Sequence, residues 1–233
     1  MKLSDVASED FDKILLIGDS GTGKTCFAAS LPKPMLYLDF DGKVDSAAQF
    51  FKGADWLDQV DVRQLQASLI SDPIDEFMKI TREIESKAKA LPWKTLVIDS
   101  VSTYSQAALK HIVRTNPGIK RSPKDNPGLQ DYGILKREFQ RVIPGILGLP
   151  MNIVMIGHIK IDKDETTGEI IRSCNTDGAF GRDMPIYFKE VYRTYVKNGK
   201  YMAQTQADFK YACRTQRGLP NEIELSYENI RGK

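Results

Sequence analysis

The chain has 233 residues, 41% hydrophobic and 27% charged, with 33 Lys and Arg against 31 Asp and Glu for a net charge of +2. That length buries a sizeable core without disulfides or metals, and the balance excludes extensive disorder and a strong global field for nucleic acid. The most apolar stretch, residues 143–157, is interrupted by Pro144 and Pro150 and falls short of the ~18 residues of a membrane span, so no membrane association is expected.

The opening MKLSDVASEDFDK, a tail up to residue 12, places acids where a signal peptide needs an apolar run. Cys26, Cys174 and Cys213 are odd in number and far apart, which fits neither a disulfide framework nor paired metal ligands. A reducing cytoplasm is the expected setting.

The first strand is expected at 13–17 (KILLI), followed by a glycine-rich turn and a helix. Further strands are read at 35–39 (MLYLD) and 60–65 (VDVRQL), their apolar character suiting strands buried on both faces. A helix starts at Ser71 and Asp72 as N-cap candidates with Pro73 at its first position, carries Ile74, Phe77, Met78, Ile84 and Leu91 on one face, and ends before Pro92. Another strand at 95–99 (TLVID) leads to a helix after Ser102. Residues 114–131, with three prolines and two glycines and no periodicity, read as a loop. A helix over 131–146 and a strand at 153–156 (IVMI) follow. The texture then changes: two short strands over 159–174, a flexible SCNTDGAFGRD stretch, a hairpin over 190–205 about Asn198-Gly199, and a strand at 209–215. The fold class expected is α/β, a mainly parallel sheet flanked by helices with a C-terminal antiparallel hairpin extension, in a single domain over 1–233.

Residues Gly18, Asp19, Ser20, Gly21, Thr22, Gly23, Lys24 and Thr25 match GxxxxGK[ST] directly after a strand and before a helix. Glycines let the backbone wrap phosphates, the helix start presents N–H groups, and Lys24 reaches the β- and γ-phosphates. Thr25 would place its hydroxyl on Mg2+, and Cys26 completes the nucleotide-contacting set. The metal also needs a strand-end acid acting through water. Asp99 and Asp39 both qualify, and Asp99 is preferred for its apolar strand and the Ser100 that follows.

This arrangement resembles the RecA-like recombinase core of P-loop ATPases. The resemblance implies ATP and Mg2+ as ligands and makes Asp41, in Asp39-Phe40-Asp41, the residue polarising the attacking water, one methylene shorter than the family's Glu. Ser100 in place of a Glu speaks against AAA+ motors. His158, after the IVMIG strand, stands where the family carries a γ-phosphate sensor, usually Gln, while His111 has no such context and reads as structural. Two segments correspond to the family's DNA-binding loops. The first, 114–124, carries Arg114, Lys120, Arg121 and Lys124 with no acid; the second, 160–184, holds four bases against six acids, with Phe180 as a base-stacking group and Arg182 as a contact. Arg214 and Arg217 stand where such cores carry cations that reach a neighbouring subunit's nucleotide.

The short chain is similar to phage-encoded RecA-like proteins of single-strand annealing and recombination. That likeness implies single-stranded DNA as partner, DNA-stimulated ATP hydrolysis, a homo-oligomer in a ring or filament, a single-strand DNA-binding protein as a further partner, and a bacterial host's cytoplasm. Two other readings stand beside it: a P-loop phosphotransferase with a small acceptor, and a nucleotide-dependent protein-interaction switch.

Overall fold

The computed structural model describes residues 11–87, 90–121, 126–163, 168 and 170–231. Strands β1 (Lys13–Gly18), β2 (Met35–Asp39), β3 (Val60–Gln64), β4 (Thr95–Asp99), β5 (Asn152–Gly157), β8 (Glu190–Lys197), β9 (Lys200–Gln204) and β10 (Glu222–Glu224) form one sheet in the order β10-β9-β8-β1-β5-β4-β2-β3. From β3 to β8 every pairing is parallel, and β9 and β10 continue the sheet antiparallel. β6 (Ile159–Lys163) and β7 (Ile170–Cys174) make a separate antiparallel ribbon. The sheet thus has the RecA-like order, with β5 between the strand leading into the glycine-rich turn and the strand ending in Asp99.

Alternation along the central strands builds two cores. Leu15, Ile17, Leu36, Leu38, Leu96, Ile98, Ile153 and Met155 face α3 (Pro73–Ser86), α4 (Val101–Thr115) and α5 (Leu129–Leu147). Ile14, Leu16, Met35, Tyr37, Val97, Val154 and Ile156 face α1 (Lys24–Ala29) and, at the chain's end, Ile230 of α7 (Tyr227–Arg231). α1 spans only 6 residues, too few to be stable alone, so it is held by the buried Phe27, Ala28 and Ala29. α2 (Val44–Phe50) and α6 (Phe180–Asp183) are short elements with no sequence forecast. None of the described helices is long and apolar enough to cross a membrane.

Several expectations need correction. β3 is an edge strand whose side chains are part-exposed, not buried on both faces, because only β2 pairs with it. No strand forms over 209–215: β9 already occupies the hydrogen-bonding edge of β8, and only Arg214 makes a bridge, to Val191. The two short strands expected over 159–174 are β6 and β7, whereas the stretch expected to be flexible after them holds α6 and leads into a 3-10 turn. α5 passes through Pro144 to Leu147, and α3 stops at Ser86, short of Leu91. The three cysteines are free thiols.

Asp72 caps α3, accepting from the amides of Ile74 (2.7 Å) and Asp75 (3.2 Å), and pairs with His111 and Arg114 on α4. Burial works against its ionisation, but the bond from His111 and the two amides outweigh it and hold the carboxyl below the usual range. A carboxylate with a depressed folded pKa stabilises the fold above its ordinary value of 3.8, and the contribution is lost as pH falls through the lower folded value. Asp72→Ala is expected to cost about 1 kcal/mol near neutral pH. Thermal melts of both proteins should show that gap shrinking below about pH 4.

Candidate functional site

Parallel strands end on one side of a sheet, so the residues after β1, β2, β4 and β5 converge there. The turn after β1 uses Gly21 (φ 75°) and Gly23 (φ 83°) in the left-handed region that favours glycine. Gly18 is required for a different reason: a Cβ there would lie 2.2 Å from Thr194 Oγ1 on β8. Thr22 Oγ1 meets Thr194 Oγ1 at 2.7 Å, tying the turn to β8. Lys24 curls back into the turn, donating to the carbonyls of Gly18 (2.9 Å) and Asp19 (2.6 Å). Burial lowers its pKa, partly offset by Asp99, Asp19 and Asp41.

Thr25 Oγ1 donates to Asp99 Oδ2 at 2.8 Å, and Tyr37 OH donates to the same oxygen at 2.6 Å. Burial raises the Asp99 carboxyl despite these donors. Asp39, level with Asp99 on the adjoining strand, takes no part in these bonds. Its carboxylate accepts from the amides of Gly42, Lys43 and Val44 and so shapes the turn into α2.

Asp41 accepts from three side chains beyond the ends of two other strands. Its Oδ1 accepts from the hydroxyls of Ser100 (2.8 Å) and Thr103, and its Oδ2 accepts from His158 Nε2 at 3.0 Å. Burial opposes ionisation, but His158, Thr103 and Ser100 together hold the carboxyl well below the usual range. Ser100 does double duty, since its Oγ also caps α4 through the Thr103 amide. The His158 amide donates to Ser102 Oγ at 3.0 Å. The first turn of α4 therefore carries the hydroxyls that join the ends of β2, β4 and β5.

Lys24, Thr25, Asp41, Asp99 and His158 line one cleft of about 410 Å3, which also takes in Ser20, Gly21, Thr22, Gly23, Cys26, Phe50 and Tyr201. A left-handed glycine turn, a cation inside it, and a Thr–Asp pair at its base make a donor set that fits a nucleotide triphosphate with Mg2+. Tyr201 and Phe50 are functional candidates that the sequence reading missed. The Tyr201 ring lies against the turn, so a Cβ on Gly23 would meet its Cγ at 3.0 Å. Its signal was the hairpin at Asn198-Gly199, but the sheet order that sets β9 beside the turn is invisible in sequence.

Other expected site residues lie elsewhere. Phe180 is buried and stacked on Phe139 (4.7 Å between centroids), a core residue rather than a base platform. Arg121 is buried in a bidentate pair with Asp131 (2.9 and 2.6 Å) and is not free to meet a phosphate. Arg114 belongs to α4 and pairs with Asp72 and Asp75. Arg217 is bound by the buried Asp12, with Glu190 at 3.6 Å, and anchors the C-terminal segment instead of reaching a nucleotide. Lys120, Arg182 and Arg214 are exposed, and Lys124 lies outside the described residues. His111 pairs with Asp72 as a structural group.

Gly18→Ala must displace Thr194 and with it β8. An expected loss of about 2 kcal/mol, read in chemical denaturation, and weakened ATP binding by calorimetry check this contact.

A family model described as "AAA domain" matches residues 10–213. Ser100 in place of a Glu points away from that description, and the match over most of the chain overrides it. A search of the curated proteins found no match. Among solved structures, a KaiC-like protein from the hyperthermophilic archaeon Pyrococcus horikoshii OT3 is similar at 15% identity and TM-score 0.47, over 88% of this chain and 84% of that one. The chain belongs to the AAA domain family and is a P-loop ATPase of that type.

Proposed function

We propose that this chain is a single-domain, Mg2+-dependent ATPase whose nucleotide state governs its hold on single-stranded DNA, in annealing or recombination of phage DNA in a bacterial host's cytoplasm. The observation that carries the nucleotide half is the grouping of Lys24, the Thr25–Asp99 pair, Asp41 and His158 at one cleft. The DNA half draws on the resemblance to short recombination proteins and on the exposed Lys120 and Arg182.

Lys24 would exchange its two carbonyl partners for β- and γ-phosphate oxygens. Thr25 and Asp99, the latter through water, would hold Mg2+, which supplies charge neutralisation as the γ-phosphoryl group leaves. Asp41, held far into its ionised form, is too weak a base to take a proton fully; it orients water by accepting a hydrogen bond. His158 reports on the γ-phosphate and shares its Nε2 proton with Asp41. Exposed Arg214 serves a neighbouring copy's nucleotide in a ring or filament, and a single-strand DNA-binding protein supplies coated strands.

One observation favours a second reading, the nucleotide-dependent interaction switch. Both carboxylate oxygens of Asp41 already accept hydrogen bonds, from Ser100, Thr103 and His158, which suits slow turnover.

Phosphate release, measured with and without single-stranded DNA, tests the proposal: DNA should raise turnover, and equal rates in a preparation that binds ATP contradict it. Lys24→Ala should lose ATP binding. Asp41→Asn should keep ATP affinity within about twofold and lower turnover by about 100-fold or more.

A further inference from the structure

Beside the nucleotide cleft, the face of β8 that bears Val191 carries cations and aromatic rings with no part in that cleft. Arg193 lies between two tyrosines, its guanidinium carbon 4.2 Å from the Tyr211 ring centre and 4.7 Å from that of Tyr195. Arg172 on β7 approaches Tyr211 as well, at 5.6 Å. Neither arginine forms an ion pair among the described residues, and Arg193 Nε is buried without a hydrogen-bond partner there. The neighbouring acids are engaged. Asp208 accepts from the amides of Lys210 and Tyr211 at 2.7 Å each, and Glu222 accepts from Tyr195 and Lys197.

Apolar groups flank these cations. Phe209 is 89% exposed, with Lys210 Nζ 5.2 Å from its ring centre. On the ribbon, Ile161 pairs with Arg172 and Ile170 with Lys163, so all four side chains share a face, on which Ile161 and Ile170 are exposed.

Guanidiniums stacked on tyrosine with no ion pair among the described residues call for an anion. A small anion would satisfy them and leave Phe209 in water. An apolar protein segment would cover Phe209 and leave the guanidiniums uncompensated. A single strand of DNA supplies both groups, with phosphates for Arg172, Arg193 and Lys210 and a base face for Phe209. We infer that the Arg172–Tyr211–Arg193 stack and the adjoining Phe209 form a contact surface for single-stranded DNA, separate from the 114–124 segment. This inference rests on the DNA-binding half of the proposed function and is independent of the ATPase half.

The test is fluorescence anisotropy of a labelled oligo-dT strand across a salt series, with ATP affinity and oligomeric state measured on the same preparations. Phe209→Ala, at an exposed position, should weaken strand binding about tenfold. Arg172→Gln should weaken it and lower the salt slope by about one counterion. Both variants should bind ATP as the parent does. Parent-like strand binding in both variants overturns the inference alone. Absence of strand binding by the parent at low salt overturns the inference together with the DNA half of the proposed function, leaving the ATPase half standing. A change in oligomeric state with unchanged strand affinity also overturns it, assigning the surface to a second copy of the chain.

Discussion

The site depends on one buried oxygen. Asp99 Oδ2 accepts from Thr25 and from Tyr37, and through these two bonds the end of β4 is tied to the start of α1 and to β2. The register makes this unavoidable: Asp99 is level with Asp39 on β2 and with Ile156 on β5, so the turns after all three strands open at the same height. A carboxylate in that position is costly to ionise, as its raised pKa reflects. Two neutral hydroxyls hold it, and no ion pair engages it among the described residues, which leaves charge for a metal to neutralise.

Around that oxygen, α4 acts as a connector. Ser100 and Thr103 bind Asp41, Ser102 receives the His158 amide, and Ser105 accepts from the Asp177 amide at 2.7 Å. Four hydroxyls on two turns therefore link the cleft to the segment that follows β7. Hydroxyls suit this work because each can donate and accept, so the partners can change without a charge being buried or exposed. Asp41 shows the other side of such wiring. Three donors make it a poor base and a precise anchor.

Much of this could be read from sequence where residues act locally. The glycine turn, the strand ends at Asp39 and Asp99, the Asp72–Pro73 helix start and the Asn198-Gly199 hairpin each depend on neighbours a few positions away. The misreadings came from partners that are distant or unseen. Arg121 looked free until Asp131 folded back onto it, Arg217 finds Asp12 at 205 positions' separation, and Phe180, set in a polar stretch, stacks on a ring from α5. Counting charges along a loop assumes that each one faces water, and two of these arginines do not. Tyr201 failed to stand out because its meaning comes from sheet order: β8 pairs with β1, and that alone carries β9 to the nucleotide turn.

The central claim is that Thr25 and Asp99 form the metal-holding base of a nucleotide cleft, and calorimetry of ATP binding with and without Mg2+ tests it most directly. The parent protein should bind ATP more tightly with Mg2+, and Asp99→Asn should lose that gain while keeping its Mg2+-free affinity. An equal Mg2+ effect in the two proteins would contradict the account.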